Sequence, residues 1–129
     1  MAKDENRMPL DVNHPAAFFG NPVAAGAHIF RGALVALDAA GNAVPALPAS
    51  PVMRGVAREE ADNTGGVAGA ISVETARGCW LIRNNGTVNR TNIGKNVFVV
   101  DDETVGATGT LVAGRCLDVT PGGVAVEIV

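Results

Sequence analysis

Apolar positions along this chain come in short runs, many of them alternating with polar residues, and Gly, Pro, Asn and Asp separate the runs. From Ala70 to Thr75 the alternation is clean: Ile71 and Val73 share one side, Ser72 and Glu74 the other. Ala27 to Phe30 and Ala33 to Asp38 read as strand, with Gly32 as a bend. A turn at 38–42 and a short strand through Val44 complete a hairpin. Val52 to Glu59 is a further strand, and 61–66 carries turn chemistry. Cys79 to Ile82 is apolar on both sides, which predicts a covered strand. Asn84-Asn85-Gly86-Thr87 is a turn, and Val97 to Val100 is a strand stopped by Asp101-Asp102-Glu103. Arg115 to Val119 and Val124 to Ile128 form a hairpin, with Leu117 and Val119 set against Val124, Val126 and Ile128. Its link, Thr120-Pro121-Gly122-Gly123, suits a type II turn with positive φ at Gly122. No segment holds a 3.6-residue period over three turns, so helices are not expected. The turn spacing predicts an all-β fold, a small β-sandwich or barrel-like domain.

Residues 1–25 differ from the rest. Met1 to Asn13 is polar and charged, and Pro9, Pro15 and Pro22 punctuate the segment, so it reads as an extended N-terminal arm without a core of its own. Residues 26–129 form the β domain. Phe18 and Phe19 lie in the arm, where adjacent side chains of an extended segment point to opposite sides. Either one of them packs at home while the other meets a neighbour, or both cap the open end of a sheet.

The apolar fraction, 47% of 129 residues, is mostly Ala and Val, with 16 Gly, four Phe, one Trp and no Tyr. Small side chains favour closely packed sheets but bury little area each, at roughly 25 cal/mol per Å². A partner subunit could supply more. The net charge of −3 and the lack of a basic stripe speak against nucleic-acid binding. Only Lys3 and Lys95 are lysines. The remaining cations are Arg, which is enriched at interfaces, although composition bias accounts for it equally well. No charged-then-apolar leader and no membrane-length apolar run occurs, which predicts synthesis in a reducing cytoplasm, with Cys79 and Cys116 as free thiols.

Chemistry-bearing motifs fail one by one. Gly94-Lys95-Asn96 approaches a phosphate loop, but Asn89 stands where the first Gly belongs and Asn96 lacks the metal-binding hydroxyl. His14 and His28 lie outside any nucleophile motif, and Ser50 and Ser72 lack an elbow context. A Cys79–His28 pair would lack a third member. Asp101-Asp102-Glu103 lacks the oxygen spacing of a Ca²⁺ loop and reads as a solvated turn. No catalytic, cofactor-binding or metal-binding residue is therefore expected. Trp80 reads as core or as an interface anchor. The candidate contact residues are Pro15, Phe18, Phe19, Phe30, Arg31, Trp80 and Arg83.

Five pieces occur in a fixed order: GAHIFRGALVALDAAGNAVPA (26–46), VMRGVAREEADNTGG (52–66), GAISVETARGCWLI (69–82), IGKNVFVVDDETV (93–105) and AGRCLDVTPGGVAVEI (113–128). In that order the chain resembles the small head-decoration, or cement, proteins of tailed bacteriophages. The resemblance implies a structural protein on the outer capsid surface, made in the bacterial host. It would bind the major capsid protein, bridge its subunits, and form a homo-oligomer, a trimer or a dimer. No cofactor, nucleic acid or membrane is implied. The competing reading is a non-catalytic β-rich ligand- or host-recognition module of a phage particle.

Overall fold

The strand Leu34–Leu37 (β3) is buried on both sides, and this places it between two cores. Val35 faces one core, with Val23, Ile29, Ala33, Ala43, Ala57, Ala61 and Val73. Leu34 and Ala36 point the other way, into a larger core shared with the C-terminal half. The computed structural model describes residues 18–128.

Two five-stranded units make up the fold. The first contains β1 (Phe18–Pro22), β3, β4 (Ala43–Pro45), β5 (Val52–Ala57) and β7 (Ser72–Ala76), in the order β1-β7-β5-β3-β4. A parallel bridge between Val23 and Ala43 brings its two edges together at one point, so the sheet is an incompletely closed barrel. A small ribbon of β2 (His28–Ile29) and β6 (Ala61–Asp62) contributes Ile29 and Ala61 to its core. The second unit contains β8 (Gly78–Asn84), β9 (Asn96–Asp101), β10 (Thr104–Gly106), β11 (Val112–Thr120) and β12 (Gly123–Ile128), closed in the order β10-β8-β12-β11-β9.

The second unit repeats the first strand for strand. In each, the first strand pairs with the fifth, the fifth with the fourth, the fourth with the second and the second with the third, all antiparallel. The third then meets the first in parallel, Val23 with Ala43 and Asn84 with Val105. Register agrees as well. Val35 opposite Gly55 and Ala36 opposite Met53 correspond to Val97 opposite Gly114 and Phe98 opposite Val112, and both units skip one residue there, Arg54 and Ala113. Leu37 opposite Ala43 corresponds to Val99 opposite Val105. Gly32 and Gly94 enter the second strand with φ of 85° and 84°. The bonds from Gly32 N to Ala57 O and from Ala57 N to Ala33 O recur as Gly94 N to Cys116 O and Cys116 N to Lys95 O. The match extends over all five pairings, so the fold is one strand topology built twice in tandem.

The two glycines at the skipped position have the same cause. A Cβ on Gly55 would come within 2.7 Å of Ala76 O, and a Cβ on Gly114 would collide with Glu127 O. Both crowd the fifth strand where the fourth bends. At the junction between barrels, the outward face of β3 and β5 is apolar because the second barrel covers it: Leu34 is fully buried and Val56 nearly so. Their counterparts in the second barrel, Asn96 and Arg115, are exposed. Leu34 N also donates to Asp102 O, and Thr110 Oγ1 to Pro48 O, across the junction.

Several expectations change. Phe18–Pro22 is a paired strand and Val23 is fully buried, so the last part of the expected arm belongs to the first barrel. Residues 61–66 include β6, because Ala61 pairs with Ile29. Gly122 does not take positive φ. The turn is not type II, and the residue with φ of 143° is Gly123. Leu117 falls in the bulge between Cys116 and Asp118 and is 41% exposed, so it leaves the hairpin's inner face. β8 is not covered: Cys79 and Leu81 are exposed, and only Ile82 is buried.

Candidate functional site

Five of the sequence-derived candidates meet around one turn at the junction of the barrels. Ala33 N donates to Phe30 O, and Gly32 adopts positive φ, which throws Arg31 outward between two open clefts. One cleft, of about 370 Å³, lies between β5 and β8 and is lined by Arg31, Val56, Arg58, Trp80, Leu81 and Ile82, among others. The other, of about 350 Å³, is lined by Phe30, Arg31, Gly32, Ala33, Asp102 and Glu103. Phe18 stands at the rim of the first, its ring centroid 4.1 Å from the Arg58 guanidinium carbon. Arg83 stands near the second through its ion pair with Glu103, at 3.0 Å. Phe18, Phe30, Arg31, Trp80 and Arg83 thus share one side of the molecule.

Trp80 is 36% exposed and donates from its indole nitrogen to Arg77 O, so the core reading is corrected: it is a wall of the cleft. Its neighbour Leu81, 59% exposed, was missed from sequence because an apolar strand in a barrel gives no sign of which side is bare. Phe30 is 57% exposed, with its ring 4.2 Å from that of His28. Arg31 has no ion pair among the described residues, whereas Arg58 bonds Glu74 at 2.9 Å. Exposed pairs of this kind contribute little stability, about 0–1 kcal/mol. Phe19 points to the opposite side of β1, against Arg54 and Arg77. Pro15 lies outside the described residues.

The titratable groups do not converge. His28 Nε2 is 2.6 Å from Glu60 Oε2, with no hydroxyl or thiol joined to the pair among the described residues. Cys116 is buried, and burial pushes its thiol up, while Cys79 is exposed; both are free. Burial, followed by the charges of Asp101 and Glu103, pushes the Asp102 carboxyl above the usual range. Asp101 Oδ1 accepts from Glu103 N, and Glu103 is held by Arg83, so the acidic run forms a bonded turn. Among the described residues no group of three or more His, Cys, Asp or Glu is placed to hold a metal ion. The arrangement offers apolar and cationic contact surface, with aromatic rings and guanidiniums side by side. No protein-family model matches the chain, and comparison with curated proteins and solved structures yields no match.

Proposed function

We propose that this protein is a structural virion component that binds the outside of a phage capsid and stabilises the shell by bridging major capsid protein subunits. The observation that carries the reading is the gathering of Phe18, Phe30, Trp80 and Leu81 with Arg31 and Arg58 around the junction of the two barrels. Aromatic and Arg side chains in such a patch are the usual anchors of a protein interface. The ordered sequence resemblance supports it further. A two-barrel unit also suits bridging, since two similar modules can each contact a neighbouring subunit. The test is the thermal stability of expanded, undecorated shells with and without the purified protein. A rise in the disassembly temperature that saturates with added protein supports the reading; an unchanged temperature overturns it. The open cleft beside Trp80 favours a second reading, a ligand-recognition module. Binding of a small saccharide without any effect on shells would select that one.

A further inference from the structure

At four equivalent inward positions the two barrels carry opposite chemistry. The second barrel has Ile82, Ala113, Val126 and Ile128, all buried and apolar. The register places Asn21 and Thr75 at the positions of Ile82 and Val126, Arg54 is the skipped residue that corresponds to Ala113, and Arg77, the residue after β7, corresponds to Ile128. The same backbone evidently accepts an apolar plug, so the polar set is not forced by the fold. Asn21 and Thr75 are buried and Arg54 and Arg77 half-buried, and polar groups withdrawn from water must be bonded to be neutral in stability.

The bonding is incomplete. Asn21, 3% exposed, donates to Phe19 O at 2.9 Å, Val73 O at 3.2 Å and Thr75 Oγ1 at 3.1 Å. It accepts from Arg54 Nε at 2.7 Å. That network fixes Arg54. The guanidinium carbons of Arg54 and Arg77 lie 4.4 and 5.3 Å from the Phe19 ring centroid. Neither Arg has a carboxylate partner among the described residues, and Arg77 Nε is buried without any hydrogen-bond partner. The nearby Glu74 is taken by Arg58. Beside this cluster runs β1, which is paired on one side by β7. Its other edge meets β4 only at the following residue, Val23, so the backbone of Phe18–Pro22 offers an unpaired edge among the described residues. Pro22 fits such an edge, where no N–H is needed.

We infer that this end of the first barrel is a docking site for an extended acidic segment of a partner protein, which adds as a strand to the edge of β1 and sets carboxylates against Arg54 and Arg77. Main-chain bonds supply affinity in such additions, and side-chain partners supply choice. Guanidiniums held by stacking and by Asn21 are ready for bidentate carboxylate binding. The site stands without the capsid reading; within that reading, the segment belongs to the shell protein.

The test is fluorescence anisotropy of a labelled peptide of alternating Val and Glu, against the full chain. Wild type binds it, and affinity falls as salt rises; a Val-Lys peptide does not bind. Arg77→Ile, which copies the second barrel and removes no hydrogen bond among the described residues, weakens binding by about tenfold or more. The fourfold change Asn21→Ile, Arg54→Ala, Thr75→Val, Arg77→Ile abolishes binding yet leaves the melting temperature unchanged or higher. A merely structural cluster gives the reverse, lower stability with equal binding, and overturns the proposal, as does a wild-type chain that ignores the peptide. Within the chain, the carboxylates outside the described residues are those of Asp4, Glu5, Asp11 and the C-terminal Val129, which follows Ile128, the strand partner of Gly78 beside Arg77. Tighter peptide binding by the Asp4→Asn, Glu5→Gln, Asp11→Asn chain, or by the chain amidated at Val129, assigns the site to those groups and overturns the partner assignment.

Discussion

Gly55 and Gly114 give the sharpest test of the repeated barrel. Each sits at the bend of a fourth strand, and in each an added Cβ meets a backbone carbonyl of the fifth strand, not a side chain that can swing away. At Gly55 the contact is 2.7 Å to Ala76 O. At Gly114 it is shorter, to Glu127 O, and Val126 Cγ1 adds a second clash at 2.8 Å. Relief requires the fourth and fifth strands to part. Overpacking of this kind costs typically 1–3 kcal/mol, and a ladder hydrogen bond weakened with it costs about 1 kcal/mol more. Gly55→Ala should therefore lose roughly 1–3 kcal/mol and Gly114→Ala roughly 2–4 kcal/mol. Gly20→Ala is the control: it lies in β1, takes no positive φ, and nothing stands within 4 Å of its Cβ position. It should be neutral or slightly stabilising. Urea unfolding followed by circular dichroism measures all three. If Gly55→Ala and Gly114→Ala both fall within about 0.5 kcal/mol of wild type, the usual spread for surface changes, the shared close approach is wrong.

Other outcomes follow from the same structure. Leu34→Ala, at a fully buried position joining the two barrels, should cost roughly 2–5 kcal/mol in thermal or urea unfolding. A thiol reagent should label Cys79 rapidly in the native protein and Cys116 only on unfolding, giving two phases in a colorimetric assay. The raised Asp102 carboxyl has its own pH dependence. A carboxyl whose folded pKa lies above its unfolded value favours the folded state when protonated, so that contribution is present below the unfolded pKa and lost as pH rises through the folded one. Asp102→Asn should therefore stabilise at neutral pH and have less effect in acid, by melting temperature against pH.

The strands were legible in the sequence because local alternation sets them: Ile71 and Val73 do share an inward side, and the turn at Asp38 is capped by its own carboxylate, which accepts from Ala40 N and Asn42 N. The repeat was not. Equivalent strands are joined by unequal connections, a two-residue turn at Pro121-Gly122 against the long 58–71 segment that includes β6, so no single period aligns the halves. The difference at inward positions, Asn21 against Ile82 and Thr75 against Val126, hides it further. The candidate site was half legible. Phe18, Phe30, Arg31, Trp80 and Arg83 stood out as large or charged residues in a chain of small ones. Leu81, Arg54, Arg58 and Arg77 acquire meaning only from the sides on which the barrels leave them.

The most direct measurement for the capsid function is co-sedimentation of the purified chain with expanded, undecorated shells of its phage. Occupancy should saturate at a fixed ratio to the major capsid protein, and Phe30→Ser with Arg31→Glu should abolish it while the chain stays folded. Recovery of the protein only in the supernatant, at every concentration, would contradict the function proposed.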